Sequence, residues 1–309
     1  MRLSALVLWG VATLSGPASG VSIVQPAAPS DTQVVLYVTV TDRDRRLVPG
    51  LTGDDFEILD NGKVQTITSF DVQPRPLNAV VMLDTSGSMS AAPGVIALAV
   101  RAADELLTRL KSEDQGLVGS FNDKVTFLPS TGFTQNVDLL RNSSRQLPVG
   151  YPTRLYDALA QAIERLDTTR GRRAIVVLTD GDDTASRLQG GEVAKRARTA
   201  DVTIFGIGIV TDYFNGVVRV KSSPGRDLKN LCAETGGEMR LLKDSAEWGP
   251  EFAHLAEELH SQYAIGFSPQ VLDRKVHKLD VRVKKPDLTA RTRKSYVAAA
   301  SGSAADRAR

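Results

Sequence analysis

Two acidic residues and three hydroxyl residues stand where they could bind one metal ion together. Asp84-Thr85-Ser86-Gly87-Ser88 directly follows an apolar run, and Asp180 directly follows a second one. The candidate ligands are Asp84, Ser86, Ser88, Thr153 and Asp180. Carboxylate and hydroxyl oxygens suit a hard divalent cation. We therefore expect Mg²⁺, with Mn²⁺ or Ca²⁺ as alternatives that the sequence does not separate.

The charges of these groups predict how the ion would act. In an extended loop, Asp84, Ser86 and Ser88 alternate and can point to the same side. Only two of the five oxygen groups are charged, and a six-coordinate Mg²⁺ held by the neutral hydroxyls would keep positive charge and at least one open or water-filled position. An aspartate or glutamate of a partner protein fits that position. We therefore expect a binding protein rather than an enzyme.

Other interpretations use the same residues. A lone Asp-x-Ser-x-Ser segment is also typical of a strand-to-helix turn with a capping side chain, and a degenerate site would leave a structural scaffold. A serine hydrolase would use Ser86, Asp180 and a histidine, but its nucleophile turn needs glycines two residues before and after the serine. The candidate histidines are His254 and His260. A Mg²⁺-dependent phosphatase with Asp84 as nucleophile would need an acid where Ser86 stands.

Strand and helix patterns alternate through the middle of the chain. The apolar runs 79–83, 174–179 and 202–210 lack alternation, as is typical of parallel strands buried on both faces. Helical spacing recurs between them, at 95–110, 137–143, 155–166, 192–200, 228–235 and 252–259. This alternation from 77 to about 262 predicts a doubly wound, Rossmann-like α/β sheet. The candidate ligands fall at the carboxyl ends of its strands, where open α/β sheets bind ligands.

Both flanks of the α/β region are rich in β patterns. Before it, 34–41 alternates, and the runs 56–59 and 64–70 flank the hairpin signal Asn61-Gly62. After it come the runs 263–267, 276–283 and 288–297. Each flank is too small to be stable alone. We expect the two flanks to form one small antiparallel β-sandwich of five or six strands, into which the α/β domain is inserted.

The predicted boundaries follow changes in these patterns. The stiff segment Gln73-Pro74-Arg75-Pro76 separates the first β segment from the α/β domain. The predicted parts are a signal peptide (1–20), an N-terminal β segment (31–75), the α/β domain (76–245), a connecting helix with the C-terminal β segment (246–297) and a disordered tail (298–309).

The N-terminus predicts the compartment. Arg2 precedes the apolar run 3–14 and the small residues of 16–20. This pattern is typical of a secretory signal peptide cleaved after Gly20, an uncleaved anchor being the alternative. We expect a secreted or periplasmic bacterial protein with no membrane span after cleavage.

Composition excludes several classes of protein. The 309 residues are 42% hydrophobic and 24% charged with a net charge of +2, so no strong overall field favours nucleic acid or membranes. Cys232 is the single cysteine, which rules out a disulfide within the chain, and we expect it to be buried. The basic residues of 274–294 predict a solvated strand face or a patch for an acidic polymer, with too few aromatic residues for nucleic-acid stacking.

The candidate metal ligands resemble the metal-ion-dependent adhesion site of the von Willebrand factor type A domain. The resemblance covers about residues 77–245 and rests on three segments, Asp84-Thr85-Ser86-Gly87-Ser88, Thr153-Arg154-Leu155-Tyr156-Asp157-Ala158 and Leu178-Thr179-Asp180-Gly181. It implies an adhesion or protein-binding role. It also implies that Ser86, Ser88 and Thr153 bind the metal directly and that Asp84 and Asp180 act through bound water.

Two further features bear on this resemblance. Asp60-Asn61-Gly62-Lys63 and the stretch 279–297 resemble bacterial von Willebrand factor A-related proteins typical of acidobacterial genomes. Tyr151-Pro152 departs from the family pattern, which often has glycines before the threonine. Proline stiffens this loop, and the departure therefore bears directly on the position of Thr153.

Overall fold

The structure, a computed structural model, describes residues 33–72, 75–91, 93–214 and 217–298, without the side chains of 213 and 214. The predicted signal peptide and residues 299–309 of the predicted tail lie outside this range. Ala298, the first residue of that predicted tail, is fully buried, and its backbone N–H donates to the carbonyl of Lys275 at 2.9 Å.

The elements follow one another in three groups. The first group is β1 (Val34–Thr41), β2 (Phe56–Asp60), β3 (Lys63–Gln65) and β4 (Ile67–Asp71). The second group is β5 (Leu77–Asp84), α1 (Gly87–Ala91), α2 (Val95–Leu107), β6 (Gln115–Phe121), β7 (Val125–Leu128), α3 (Val137–Ser144), α4 (Leu155–Asp167), β8 (Arg172–Thr179), α5 (Gly190–Ala200), β9 (Val202–Ile209), β10 (Thr211–Phe214), β11 (Arg219–Ser222), α6 (Arg226–Thr235), β12 (Met239–Leu242) and α7 (Trp248–His260). The third group is β13 (Tyr263–Phe267), β14 (Val276–Val283), β15 (Thr289–Arg291) and β16 (Ser295–Val297).

A six-stranded sheet forms the centre of the α/β part. Its strand order is β12-β9-β8-β5-β6-β7, and all neighbours are parallel except β6 and β7. Every residue of β5 is buried, because helices cover both faces of the sheet. The predicted doubly wound α/β sheet is therefore confirmed. Helix α7, predicted as a connecting helix, belongs to this layer, since Phe252 and Leu255 share one hydrophobic core with Leu106 of α2.

The two flanking β segments pair with each other. Two four-stranded sheets have the orders β15-β1-β13-β4 and β16-β14-β2-β3, so each mixes strands from both ends of the chain. Strand β1 is antiparallel to β13, and β14 is antiparallel to β2. Leu36, Ile58, Ile265 and Val281 lie in the core that the two sheets enclose. The predicted sandwich is confirmed, with eight strands in the described residues instead of five or six.

Two of the predicted strands are each divided between the two sheets. The run 64–70 becomes β3 and β4, which lie in different sheets, and the run 288–297 becomes β15 and β16, which also lie in different sheets. Thr66 separates the first pair. The expectation of single strands is wrong here, because the chain turns a corner of the sandwich within a run of uniformly β-prone residues.

A buried polar network joins the sandwich to the α/β part. Arg172 at the start of β8 donates to the side chain of Gln262, and Gln262 donates to Thr39 of β1 at 2.8 Å. Glu258 of α7 accepts from Thr39 at 2.8 Å and from Arg291 of β15 at 2.5 Å. Burial lowers the pKa of Arg172 to about 10. Because each buried charge has a hydrogen-bond partner, the network holds α7 against the central sheet and against the sandwich sheet that contains β1 and β15.

The structure also bears on the predicted burial of Cys232 and on membrane-spanning helices. Cys232 is buried in α6, as predicted, and burial raises the pKa of its thiol to about 12. In the part of the chain that the structure describes, no helix is both long enough and apolar enough to cross a membrane.

Candidate metal centre

The two candidate carboxylates follow neighbouring parallel strands. Asp84 is the last residue of β5, and Asp180 comes directly after β8. The register pairs Leu83 with Leu178, so the two strands end side by side. Both carboxylates are buried, Asp84 at 1% exposure and Asp180 at 0%. The uninterrupted apolar runs thus carry both acids to one edge of the sheet.

Hydrogen bonds bring four of the five predicted ligands into one group. Asp84 Oδ1 accepts from the backbone N–H of Ser86 at 2.8 Å. The hydroxyl oxygens of Ser86 and Ser88 lie 3.4 Å apart, and the hydroxyl of Ser88 donates to Asp180 Oδ1 at 2.7 Å. The group is therefore a continuous set of oxygen donors between two strand ends.

The loop that carries the serines is not extended, contrary to our expectation. Helix α1 begins at Gly87, and the backbone N–H of Ser90 donates to the carbonyl of Ser86 at 3.0 Å. Asp84 favours this turn, since its side chain accepts from a backbone N–H two residues further along the chain. The hydroxyls of Ser86 and Ser88 still lie near each other, 3.4 Å apart, where the turn leads into α1.

Thr153 occupies a different position in the site. Its backbone N–H donates to Thr184 Oγ1 at 3.1 Å, and its carbonyl accepts from the backbone N–H groups of Thr184 and Ala185. These bonds tie Thr153 to the loop that follows Asp180. Thr153 is 8% exposed, and its hydroxyl makes no hydrogen bond to any described residue. The structure thus leaves this hydroxyl available as a ligand without joining it to the other four.

Tyr151 and Gly87 pack directly against each other beside the site. A Cβ atom built on Gly87 would lie 1.5 Å from a ring carbon of Tyr151. A larger residue at position 87 would require the exposed ring of Tyr151 to move. Tyr151, which departs from the family pattern, therefore lies against Gly87 in the loop that carries Ser86 and Ser88.

Three further residues hold the carboxylates. Thr179 Oγ1 donates to Asp84 Oδ2 at 2.5 Å. Asp180 accepts from the hydroxyl of Thr211 at its side chain and from the hydroxyl of Ser222 at its backbone carbonyl, the latter at 2.7 Å. None of the three was predicted from the sequence. Thr179 ends the buried strand β8, and Thr211 comes shortly after the buried strand β9. Both could have been found as polar residues at strand ends, whereas Ser222 gives no such signal.

The electrostatics of the site favour a cation. Burial raises the pKa of Asp84 to about 6, even though hydrogen bonds from Ser86 and Thr179 lower it, and the charge of Asp180 raises it further. Burial likewise raises the pKa of Asp180, against hydrogen bonds from Thr211 and Ser88. Two buried carboxylates side by side are costly when both are ionised. A divalent cation between them would offset that cost.

The donor set fits a hard cation. Within the described ranges, no three or more His, Cys, Asp or Glu side chains are grouped so as to hold a metal ion. The charged donors at this edge are therefore the two aspartates, and the remaining donors are neutral hydroxyls. Such oxygen-only donors suit Mg²⁺, Mn²⁺ or Ca²⁺.

The two histidines of the hydrolase interpretation lie elsewhere. His260 Nε2 is 2.7 Å from Asp114 Oδ2, and Asp114 also accepts from the backbone N–H of Leu77, the first residue of β5. His260 is thus at the amino end of the strand whose carboxyl end carries Asp84. His254 lines a separate cleft together with Glu251. The structure does not bring either histidine to Ser86.

Two acids that follow Asp180 in the sequence, and several basic residues near the C-terminus, have structural roles. Asp183 accepts from the backbone N–H groups of Tyr156 and Ser186, and Asp182 accepts from that of Gly225, so both acids fix loops. In the basic C-terminal stretch, five residues pair with acids of this chain: Lys275, Arg282, Lys285, Arg291 and Arg293. Much of the predicted basic patch is therefore neutralised internally.

The α/β part thus combines a doubly wound sheet with a group of oxygen donors at the carboxyl edge of that sheet. The family model described as the von Willebrand factor type A domain matches residues 79–182. The chain therefore contains a von Willebrand factor type A domain. None of the curated proteins compared with the chain matches it.

Solved structures share the fold at low sequence identity. A von Willebrand factor type A protein from Catenulispora acidiphila superposes with a TM-score of 0.54 at 13% identity, covering 85% of this chain and 74% of that one. Proximal thread matrix protein 1 from the mussel byssus, solved with a zinc-occupied MIDAS motif, has a TM-score of 0.51 at 15% identity and covers 65% of this chain and 49% of its own.

Proposed function

We propose that this chain is a metal-dependent protein-binding module. One divalent cation is held at the carboxyl edge of the central sheet, and a carboxylate of a partner protein completes its coordination. The ligands are Asp84, Ser86, Ser88, Thr153 and Asp180. The observation that carries the proposal is the pair of buried carboxylates, which are connected through Ser86 and Ser88. Burial raises the pKa of both carboxyl groups.

The residues have different tasks in this proposal. Ser86, Ser88 and Thr153 contact the ion directly, while Asp84 and Asp180 act through bound water and supply negative charge. Thr179 and Thr211 orient the two carboxylates by donating to them. With three neutral hydroxyls as direct ligands, the bound ion keeps positive charge and attracts a partner carboxylate. Mg²⁺ is the proposed ion, and the zinc in the mussel protein supports divalent binding by this fold.

The proposal extends to the setting of the protein. It acts by binding rather than by catalysis, and it is secreted or periplasmic in a bacterium, as the predicted signal peptide implies. The α/β domain, which includes α7, presents the site, and the β-sandwich supports it. The narrower resemblance to bacterial relatives of the family stays a prediction.

Water-proton relaxation with Mn²⁺ tests the proposal. Mn²⁺ bound to metal-stripped protein should enhance relaxation through its open water positions. N-acetyl-aspartate amide should lower this enhancement by displacing water, whereas the matched N-acetyl-asparagine amide should not. Absence of enhancement would show that the site is degenerate and that the protein is a scaffold. Equal effects of acid and amide would contradict carboxylate capture.

A further inference from the structure

Exposed apolar side chains border the proposed metal site on one flank. Val149 is 53% exposed and Tyr151 is 68% exposed. The residue between them, Gly150, donates its backbone N–H to the carbonyl of Thr85 at 3.1 Å, and the Tyr151 ring packs on Gly87. The segment 149–151 is therefore attached to the loop that carries the metal ligands. Large apolar groups next to such a site indicate a surface for a partner.

A groove continues from this flank along helices α1 and α2. It has a volume of about 860 Å³, and its apolar lining includes Met89, Ile96, Leu98 and Val149. Helix α1 begins one residue before the ligand Ser88, and Met89 follows that ligand directly. The groove, here called the α1–α2 groove, thus starts where the metal-binding loop ends.

Positive charge lines the same groove. Arg101 and Arg145 are part of its wall. Arg145 pairs with Asp104 at 2.5 Å, whereas Arg101 is exposed and makes no ion pair with any residue that the structure describes. An apolar groove with an available guanidinium is complementary to a ligand that carries both an apolar and an acidic group.

We propose that the partner is an acidic polypeptide segment that binds the metal and the α1–α2 groove at the same time. One carboxylate completes the metal coordination, an apolar side chain packs against Ile96 and Val149, and a second carboxylate pairs with Arg101. This proposal rests on the proposed function, because it assigns the partner of the same site.

The length of α1 sets the spacing of the partner residues. The five residues of α1 extend about 7.5 Å at about 1.5 Å per residue. An extended peptide covers that length in about two or three residues. The apolar residue is therefore expected two or three positions from the metal-binding acid. A leucine-sized side chain buried there should bind about tenfold more tightly than alanine.

A displayed library of random dodecapeptides tests this proposal. Phage are bound to the immobilised protein in Mg²⁺ and eluted with EDTA, in parallel for wild type, Val149→Ser, Arg101→Gln and the control Leu241→Ser. Leu241 is a matched exposed apolar residue on β12. Wild type and the control should enrich an acid, an apolar residue two or three positions away and a second acid. Val149→Ser should lose the apolar preference, and Arg101→Gln the second acid.

The outcomes separate this proposal from the proposed function. If no clones elute with EDTA from wild type, metal-dependent binding itself fails. If acidic clones elute without an apolar preference, or if Val149→Ser keeps that preference, the groove is not part of the partner site. If wild type is dimeric by sedimentation and Val149→Ser is monomeric, a second copy occupies the groove and the proposal is overturned.

Discussion

Asp84→Asn should stabilise the metal-free protein while removing its response to metal. The carboxylate of Asp84 is buried and accepts from the backbone of Ser86 and from the hydroxyl of Thr179. An amide can keep both contacts, because its oxygen accepts from Ser86 and its nitrogen donates to Thr179. The hydroxyl of Thr179 can then donate to the carbonyl of Gly181, which lies 3.2 Å away. The change therefore removes charge with little loss of hydrogen bonding.

The magnitude follows from the pKa of Asp84. It rises from 3.8 to about 6 on folding, and each pKa unit corresponds to about 1.4 kcal/mol. Ionised Asp84 therefore lowers the free energy of unfolding by about 3 kcal/mol at neutral pH. Because the folded protein holds this proton more tightly, stability falls as the pH rises from about 4 through about 6. Asp84→Asn should lack that loss and be about 3 kcal/mol more stable than wild type at neutral pH.

Urea unfolding in EDTA measures this difference, with circular dichroism and the fluorescence of the buried Trp248 as probes. The two proteins should differ most at about pH 7.5 and least at about pH 4. With Mg²⁺ at about 100 times its dissociation constant, wild type should gain about 2.7 kcal/mol, and Asp84→Asn should gain nothing. A variant less stable than wild type in EDTA at neutral pH would refute the charge argument, as would a difference that does not change with pH.

Two further predictions concern the sandwich and its junction with the α/β part. Burial lowers the pKa of His277, but hydrogen bonds and charges of Asp60 and Asp273 outweigh this and raise it. The stabilisation from His277 should therefore be complete below about pH 6 and lost as the pH rises through the pKa of the folded protein. The urea midpoints of wild type and His277→Asn should converge over that rise, and a difference that stays constant with pH would contradict this. Glu258→Leu should cost about 2 kcal/mol, because it removes the buried acceptor of Arg291 and of the Thr39 hydroxyl. The exposed neighbour variant Glu257→Leu should change the free energy of unfolding by less than about 0.5 kcal/mol; equal urea midpoints for these two variants would refute the argument.

The central sheet and the position of the two aspartates at its edge could be predicted where the local sequence pattern decides. Uninterrupted apolar runs identify β5 and β8 as buried strands, and an acid at the end of each run marks the edge of the sheet. Because parallel strands end side by side, Asp84 and Asp180 could be brought together without any contact being known. The pairing of the two β flanks could be predicted for a different reason, because neither flank has enough strands to be stable alone.

Other features of the fold and of the site depend on tertiary contacts that no local sequence pattern predicts. The chain crosses from one sheet to the other near Thr66, within a run whose β propensity does not change. The hairpin of β10 and β11 brings Thr211 and Ser222 to Asp180, and the sequence patterns did not predict this hairpin. The position of Arg172 against Gln262 depends on how the sandwich sits on the α/β part. Each of these contacts joins residues that are distant in sequence.

Calorimetric titration of the metal-stripped protein with Mg²⁺ and Mn²⁺ tests the central claim most directly. Wild type and the control Glu251→Gln, which changes a half-buried acid in a separate cleft, should each bind one ion. Asp84→Asn should bind none. Absence of binding to wild type at millimolar metal, or equal binding by Asp84→Asn, would contradict a metal centre at this edge of the sheet.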